Sequence, residues 1–465
     1  MRKLASTLVI CLAAVACAGD EPAVPTTVTT VGAPATTPPE STSPDTTSGG
    51  TTVPGAPTAL DERLSWLTGI LSGDELTEAD YQATFTADFI ANVGYGDFAA
   101  VVDQMPNGTW TVGEFEDRQD LAATVLLVPG QQGDAIRARI SLEPSTPFRI
   151  QGLFLQPATP PTLDDPPQDF EAAAARMGGS GETNLAVFEV IDGGCQPVFE
   201  HGDGGASPLG SAIKLYVLGA VVDAVAAGDL SWSDDVTISD DLKSIPTGVM
   251  QDEEAGATFS LREMAEVMIA LSDNTATDHL IDLVGRPAVE AAQEAYGHAE
   301  PGLNVPFMNT MDLAALKVGP ASGLATQWLD AAEAGRRQIL EQVSDITPAD
   351  IPLSEFVDPV MPDRIEWFAS PADMCRVLAA LYEKGEPVDK ILTINPGLPD
   401  EDGDFEAIAF KGGSEPGLVS MNWLVDRPDG RRFVVAGSVV NGDEAFDELE
   451  VTLLFGAVRD LVADE

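Results

Sequence analysis

Apolar positions fall into two patterned regions separated by proline. In the first, ERLSWLTGIL and ADYQATFTADFIANVGYGDFAAVVDQM carry helical spacing, while TWTVGEF, LAATVLLVP, AIRARISLEP and FRIQGLFLQ read as strands, with GQQGD turning one hairpin. That pattern predicts a small α+β domain over residues 59–158. PATPPTLDDPPQ then marks a linker at residues 159–168. Beyond it, residues 169–465 form a second domain that opens with the helix DFEAAAARMGG and the hairpin NLAVFEVIDGG/CQPVFEHG. LYVLGAVVDAVAAG is apolar on nearly every side, as expected of an enclosed helix. A capping box at Ser260 and Glu263 starts LREMAEVMIAL, and TATDHLIDLVG follows at once. A helical insertion spans about Thr326 to Val343, and SPADMCRVLAALYEKG is a further capped helix. The chain closes with the strands AIAFKGGS, LVSMNWLVD and RRFVVAGSVV, a turn at DRPDGR, and a helix near ELEVTLLFGAVRDLV.

The ends of the pattern change the compartment. Met1-Arg2-Lys3 followed by LASTLVICLAAVA has the charged and apolar regions of a signal peptide over residues 1–16. Ala14-Val15-Ala16-Cys17 resembles a bacterial lipobox, which implies cleavage before Cys17 and a lipid on its thiol; an ordinary signal peptide with an incidental cysteine is the alternative. Residues 17–58 are Thr, Pro, Ser and Gly with almost no large apolar side chain, a composition that forms a tether and not a core. The expected location is the outer face of the bacterial cytoplasmic membrane, held there by the lipid anchor alone. A formal charge of −51 excludes a nucleic-acid binder and argues against docking on anionic lipid through basic residues. Cys195 and Cys375 remain in the mature chain, and their pairing is open.

Candidate chemistry begins at Leu209-Gly210-Ser211-Ala212-Ile213-Lys214. Residues i and i+3 of a helix share a face, so Ser211 and Lys214 point the same way. A serine hydroxyl needs a base to become a nucleophile, and a buried lysine with a lowered pKa can be that base. Taken alone, the pair also reads as a helix-start serine and a snorkelling lysine. Two later stretches decide against that. Ser272-Asp273-Asn274 sits between two helices, and Lys411-Gly412-Gly413-Ser414 lies on the strand before the last hairpin. The chain has only seven lysines, and two of them fall in these motifs. His201, His279 and His298 lack a nucleophile elbow around any serine, and with the scattered cysteines they offer no zinc spacing. No metal or cofactor is implied.

S-x-x-K, S-D-N and a K-T-G-like element in that order are the elements of penicillin-binding proteins and class A β-lactamases. Residues 169–465 therefore resemble a penicillin-recognising serine hydrolase. The whole exported chain, with PFMNTMDLAALK, EWFASPADMCRVLAAL and FKGGSEPGLVSMNW, is most similar to the Cpe/LpqF family of such proteins. The resemblance implies an antiparallel sheet with helices plus an all-helical lobe, an active site between them, and a first domain similar to steroid-isomerase or cyclase folds. It implies Ser211 as acylated nucleophile, Lys214 as its base and Ser272 as proton relay to the leaving group. Asn274 would hold the substrate amide, Lys411 would meet the substrate carboxylate, and the N–H groups of Ser211 and Ser414 would form the oxyanion hole. Gly413 would let the substrate approach closely, and Asp273 would hold the turn. Gly412 departs from the pattern, since Thr stands there in the named motif. Glu300-Pro301-Gly302-Leu303-Asn304 matches in letters the E-P-x-L-N stretch that carries the class A deacylation base, although the following loop is shorter. Glu300 is therefore a candidate base or a surface loop acid.

The expected function is hydrolysis of a β-lactam or related amide or ester, on a small-molecule or peptide substrate with a reactive carbonyl. A penicillin-binding-protein-like peptidase or esterase is the second reading. A non-catalytic cell-envelope lipoprotein that binds a ligand is the third.

Overall fold

The computed structural model describes residues 58–105, 108–130, 135–158, 162–352, 356–400 and 403–465, so the signal peptide, Cys17 and the tether up to residue 57 lie outside the described residues. The chain divides into two compact units, Met1–Pro160 and Pro161–Glu465.

The first unit opens with α1 (Ala59–Leu71), started by a capping box in which Thr58 Oγ1 accepts the Asp61 N–H and the Asp61 carboxylate accepts the Thr58 N–H. The long apolar stretch that follows is not continuous helix. It breaks into α2 (Glu78–Thr84), α3 (Ala87–Asn92) and α4 (Tyr95–Gln104). Thr77 and Thr86 accept the N–H groups of Asp80 and Phe89, and these local caps override the apolar spacing. An antiparallel meander, β1 (Trp110–Arg118), β2 (Ala122–Pro129), β3 (Ile136–Leu142) and β4 (Ile150–Pro157), completes the unit. Tyr81, Phe85, Phe89 and Phe98 share one core with inward residues of the sheet such as Val125 and Leu153.

The second unit is built on a five-stranded antiparallel sheet. After α5 (Phe170–Met177) come β5 (Glu182–Ile191), β6 (Gly194–His201) and the short β7 (Ser207–Pro208). A 3₁₀ turn at Gly210–Ile213 leads into α6 (Lys214–Ala227), whose residues from Lys214 to Val222 are all buried. A small ribbon of β8 (Asp235–Thr237) and β9 (Thr258–Ser260) precedes a helical group: α7 (Leu261–Ala270), α8 (Asn274–Val284), α9 (Arg286–Ala295), α10 (Thr310–Lys317), α11 (Ala325–Asp330) and α12 (Glu333–Val343). Next are β10 (Phe368–Ala369), α13 (Pro371–Tyr382) and α14 (Val388–Thr393). The chain then returns to the sheet with β11 (Ala407–Glu415), β12 (Leu418–Asp426) and β13 (Arg432–Val440), and ends in α15 (Glu448–Leu461).

Strand order is β11-β12-β13-β5-β6. Both faces are covered, which explains why β12 and β13 read as almost unbroken apolar runs. Ala174, Met177, Leu454 and Phe455 of α5 and α15 share a core with Val187, Trp423 and Val435 on one face. Ala186, Leu424, Val434 and Ala436 on the other face join the core of α6 and α13. A disulfide joins Cys195 of β6 to Cys375 of α13, closing the question left open by the sequence.

Candidate active site

Three segments remote in sequence converge: the 3₁₀ turn before α6, the α7–α8 turn, and β11. In a 3₁₀ turn, residues three apart eclipse each other, so Ser211 and Lys214 are aligned more directly than on the α-helix the sequence predicts. Ser211, Ser272, Asn274, Lys411, Gly413 and Ser414 all line one cleft of about 490 Å³. That volume suits a small molecule or the end of a peptide.

Backbone fit between the turn and the strand is tight. Gly210 has φ +52°, and a Cβ there would lie 3.2 Å from the carbonyl carbon of Gly413 and from the N of Ser414. A Cβ on Gly413 would lie 2.2 Å from Leu209 O and 2.4 Å from Ser211 N. Two backbones can approach this closely only where neither carries a side chain. The result sets the N–H groups of Ser211 and Ser414 on adjoining segments. Gly413→Ala is therefore expected to push β11 off the turn, and, if these two N–H groups act as oxyanion donors, to reduce ester hydrolysis by about 10²–10³-fold, the usual effect of losing one such donor. Turnover of a p-nitrophenyl ester, read together with the melting temperature, checks it.

Ser272 has φ +57°, a left-handed conformation that a non-glycine residue holds only when its surroundings fix it. They do so here. Ser272 O accepts from Lys214 Nζ at 2.5 Å and from Thr247 Oγ1 at 2.7 Å. The fully buried Asp273 caps α8 by accepting the Ala276 N–H at 2.7 Å, while its other oxygen accepts the N–H groups of Val249 and Met250 at 2.6 and 2.9 Å. Asp273 thus ties the α7–α8 turn to the loop beside it.

Lys214 is fully buried. Its Nζ donates to Ser272 O, to Ser272 Oγ at 3.2 Å and to Asn274 Oδ1 at 2.7 Å, and among the described residues it does not bond to Ser211. Three acceptors match the three protons of an ammonium. Burial nevertheless pushes Lys214 down to about 7, against the opposing pull of Asp273 and Asp278, which brings the amine form within reach near neutrality. An amine has a lone pair to offer Ser211. Lys411 Nζ donates to Ser272 Oγ at 2.9 Å and to Gly412 O at 2.8 Å. Burial, and then the charge of Lys214, hold Lys411 well below the usual lysine range. Ser272 Oγ accepts from both amines, which occupies its lone pairs and leaves its own proton free for the cleft. Asn274 Nδ2 donates one proton to Ile245 O at 3.1 Å, and Asn274 also lines the cleft.

Glu300 is not brought here. It is exposed, precedes a short 3₁₀ turn, and does not line the cleft. The reason is local: Asn304, the last letter of the matching stretch, bonds to Gln293 and Phe368, and the Glu300 N–H donates to His298 Nδ1, which fixes the segment away from Ser211. The histidines serve packing. His279 accepts the Ser239 N–H and contacts Thr275 O, and His298 contacts Phe368 O. Sequence reasoning missed three charged cleft residues, Lys317, Glu366 and Glu415. Their only sequence signal is position, since all three lie in the stretches that resemble the Cpe/LpqF family and Glu415 directly follows Ser414.

Residues 171–393 match the model of the beta-lactamase enzyme family. The second unit has a β-lactamase/transpeptidase-like fold. The matched segment contains Ser211, Lys214, Ser272 and Asn274 and ends before β11, and it supports a place in the β-lactamase-like serine hydrolase superfamily. No curated protein sequence matches the chain. Among solved structures, a β-lactamase from Sphaerobacter thermophilus is 20% identical, with 63% of this chain and 96% of that one covered and a TM-score of 0.44. PBP-A is 19% identical over 64% of this chain and 99% of its own, with a TM-score of 0.40. A β-lactamase from Chitinophaga pinensis is 16% identical over 63% and 97%, with a TM-score of 0.41.

Proposed function

We propose that the β-lactamase-like unit is a serine hydrolase that forms an acyl-enzyme on Ser211, acting on a β-lactam or a related amide or ester. The observation that carries this reading is the fully buried Lys214, three residues after a cleft-facing serine and bonded to Ser272 and Asn274, where burial lowers its hold on a proton. Lys214 as amine takes the Ser211 proton as Oγ attacks the carbonyl carbon. The oxyanion meets the N–H groups of Ser211 and Ser414. The leaving nitrogen or oxygen receives its proton through Ser272, which Lys214 and Lys411 flank. A substrate carboxylate beside Lys411 would favour the protonated form that burial opposes, making it the cationic partner of a bound substrate, with Ser414 supplying the hydroxyl that Gly412 lacks. Cleft walls at Ile269, Leu313, Phe410 and Met421 favour an apolar acyl group.

A peptidase or esterase is the second reading, favoured by the exposure of Glu300 outside the cleft. Membership of the Cpe/LpqF family, a steroid-isomerase-like first unit in an accessory role, and a lipid anchor at Cys17 on the outer face of the cytoplasmic membrane belong to the same proposal. Intact mass of the soluble chain mixed with benzylpenicillin, followed over time, tests it. A transient adduct with product accumulating supports a β-lactamase. A persistent adduct supports the peptidase or esterase, and absence of both adduct and product rules out β-lactam recognition.

A further inference from the structure

Glu366 is buried in the cleft wall, with its side chain only 1% exposed. Its Oε1 accepts the Trp367 N–H at 3.0 Å; no donor among the described residues bonds its Oε2, and its side chain lies within hydrogen-bond reach of the Glu415 carboxyl, a bond that forms only when one of the two holds a proton. Lys317 Nζ lies 3.6 Å from that oxygen and forms a close ion pair with Glu415. One ammonium thus serves two buried carboxyls, which leaves one negative charge without a partner. Holding a proton within the pair is less costly than burying a second free anion. Burial pushes Glu366 up to about 8, with Lys317 opposing and the charge of Glu415 adding to the rise, and burial raises Glu415 as well.

Placement sets the pair on the same cleft wall as the nucleophile. Trp367 O accepts the Leu209 N–H at 2.9 Å, so Glu366 is stitched to a residue two positions before Ser211. Glu415 comes one residue after Ser414, on the strand whose Gly413 packs against Ser211 N. Both carboxyls therefore ride on segments that form the wall around Ser211. No step of acylation described above uses either.

We propose that Glu366 and Glu415, clamped by Lys317, form a proton-sharing carboxyl pair that activates water for hydrolysis of the Ser211 ester. The inference rests on Ser211 being acylated. Water oxygen bonds to the acyl carbon as the carboxylate of the pair takes one water proton. The tetrahedral intermediate then collapses, the bond from carbon to Ser211 Oγ breaks, and the pair returns that proton to Oγ. One water is consumed, one carboxylic acid leaves, and nothing is oxidised or reduced. A pair holding one proton can both accept and donate, which is what the two halves of this step need.

The test uses the soluble chain acylated with benzylpenicillin and, separately, with p-nitrophenyl acetate. Adduct formation and loss are followed by intact mass from pH 5 to 9 in wild type, Glu366→Gln, Glu415→Gln and Glu366→Asp. Groups facing the pair are Lys317 from α10 and, beyond Glu415, Glu448 of α15, so the profile belongs to this cluster and not to one residue. Expected results are adduct formation within about 3-fold of wild type in the Gln variants, and release slowed by about 10²–10⁴-fold, the range for loss of a general base. The pH dependence of release should also flatten, with Glu366→Asp recovering part of the rate at an unchanged melting temperature. Release from both Gln variants at the wild-type rate, equal loss of acylation and release, or a wild type that never releases its adduct would each overturn the proposal while leaving Ser211 in place. If neither probe adds mass at Ser211, the acyl-enzyme reading itself fails and this inference falls with it.

Discussion

Ser211→Ala is expected to abolish covalent addition of benzylpenicillin or an activated ester, and to reduce turnover by about 10⁴–10⁶-fold, the scale seen when a serine hydrolase loses its nucleophile. The fold should not notice. Ser211 is half-buried, and neither Lys214 nor Lys411 bonds to its hydroxyl; their donors go to Ser272, Asn274 and the backbone. Removing one oxygen that anchors nothing should keep stability within about 0.5 kcal/mol, as for substitutions away from structural features. That separation makes the experiment informative. A variant that melts like wild type yet takes no adduct places the loss in the chemistry. A variant that keeps the biological role of the protein without any adduct would favour the non-catalytic binder, since binding by the cleft walls does not need the hydroxyl.

The placement of the motif residues was legible because their order matches that of a known set of motifs and each sits at an element boundary that sequence marks well. Ser211 stands before an apolar helix, Ser272 between a capped helix and the next, and Lys411 on a strand ahead of a hairpin. The scarcity of lysine sharpened the reading. Glu366, Lys317 and Glu415 were not legible, because they come from a loop, the end of α10 and the end of β11, and no spacing links three such positions before the chain folds. Glu300 shows the converse. Its letters match a known stretch, but where a side chain points is set by the loop around it, and Asn304 and His298 hold that loop elsewhere. In the first unit, apolar periodicity suggests one long helical stretch, where Thr77 and Thr86 cap two short helices and Gly94 starts a third without a side-chain cap, a case of local backbone and side-chain preferences overriding pattern. The Cys195–Cys375 disulfide needed the fold, because only the packing of α13 near β6 brings the two together.

Lys214→Met should cost acylation about 10²–10⁴-fold and, more tellingly, remove its pH dependence. In the wild type the base must be the neutral amine. With burial holding Lys214 at about 7, the acylation rate should rise from pH 5 and level off above about pH 8, as the ammonium gives up its proton. An ordinary lysine would leave the rate climbing to pH 10 and beyond. The same shift has a consequence for stability. Between about pH 7 and 10 the unfolded chain keeps a proton on Lys214 that the folded chain has released, so this group makes folding more favourable as pH rises through that window, with its full penalty below it. Lys411 and Glu366 also carry shifted values, so the wild-type curve alone is a mixture. The difference between wild type and Lys214→Met carries the Lys214 part together with the relief of Lys411 from its charge, and it should grow in favour of wild type from pH 7 to 10 in urea unfolding. A flat difference, or acylation in the variant that still rises through pH 7, would move the role of base from Lys214 to Lys411, the other depressed amine in contact with Ser272.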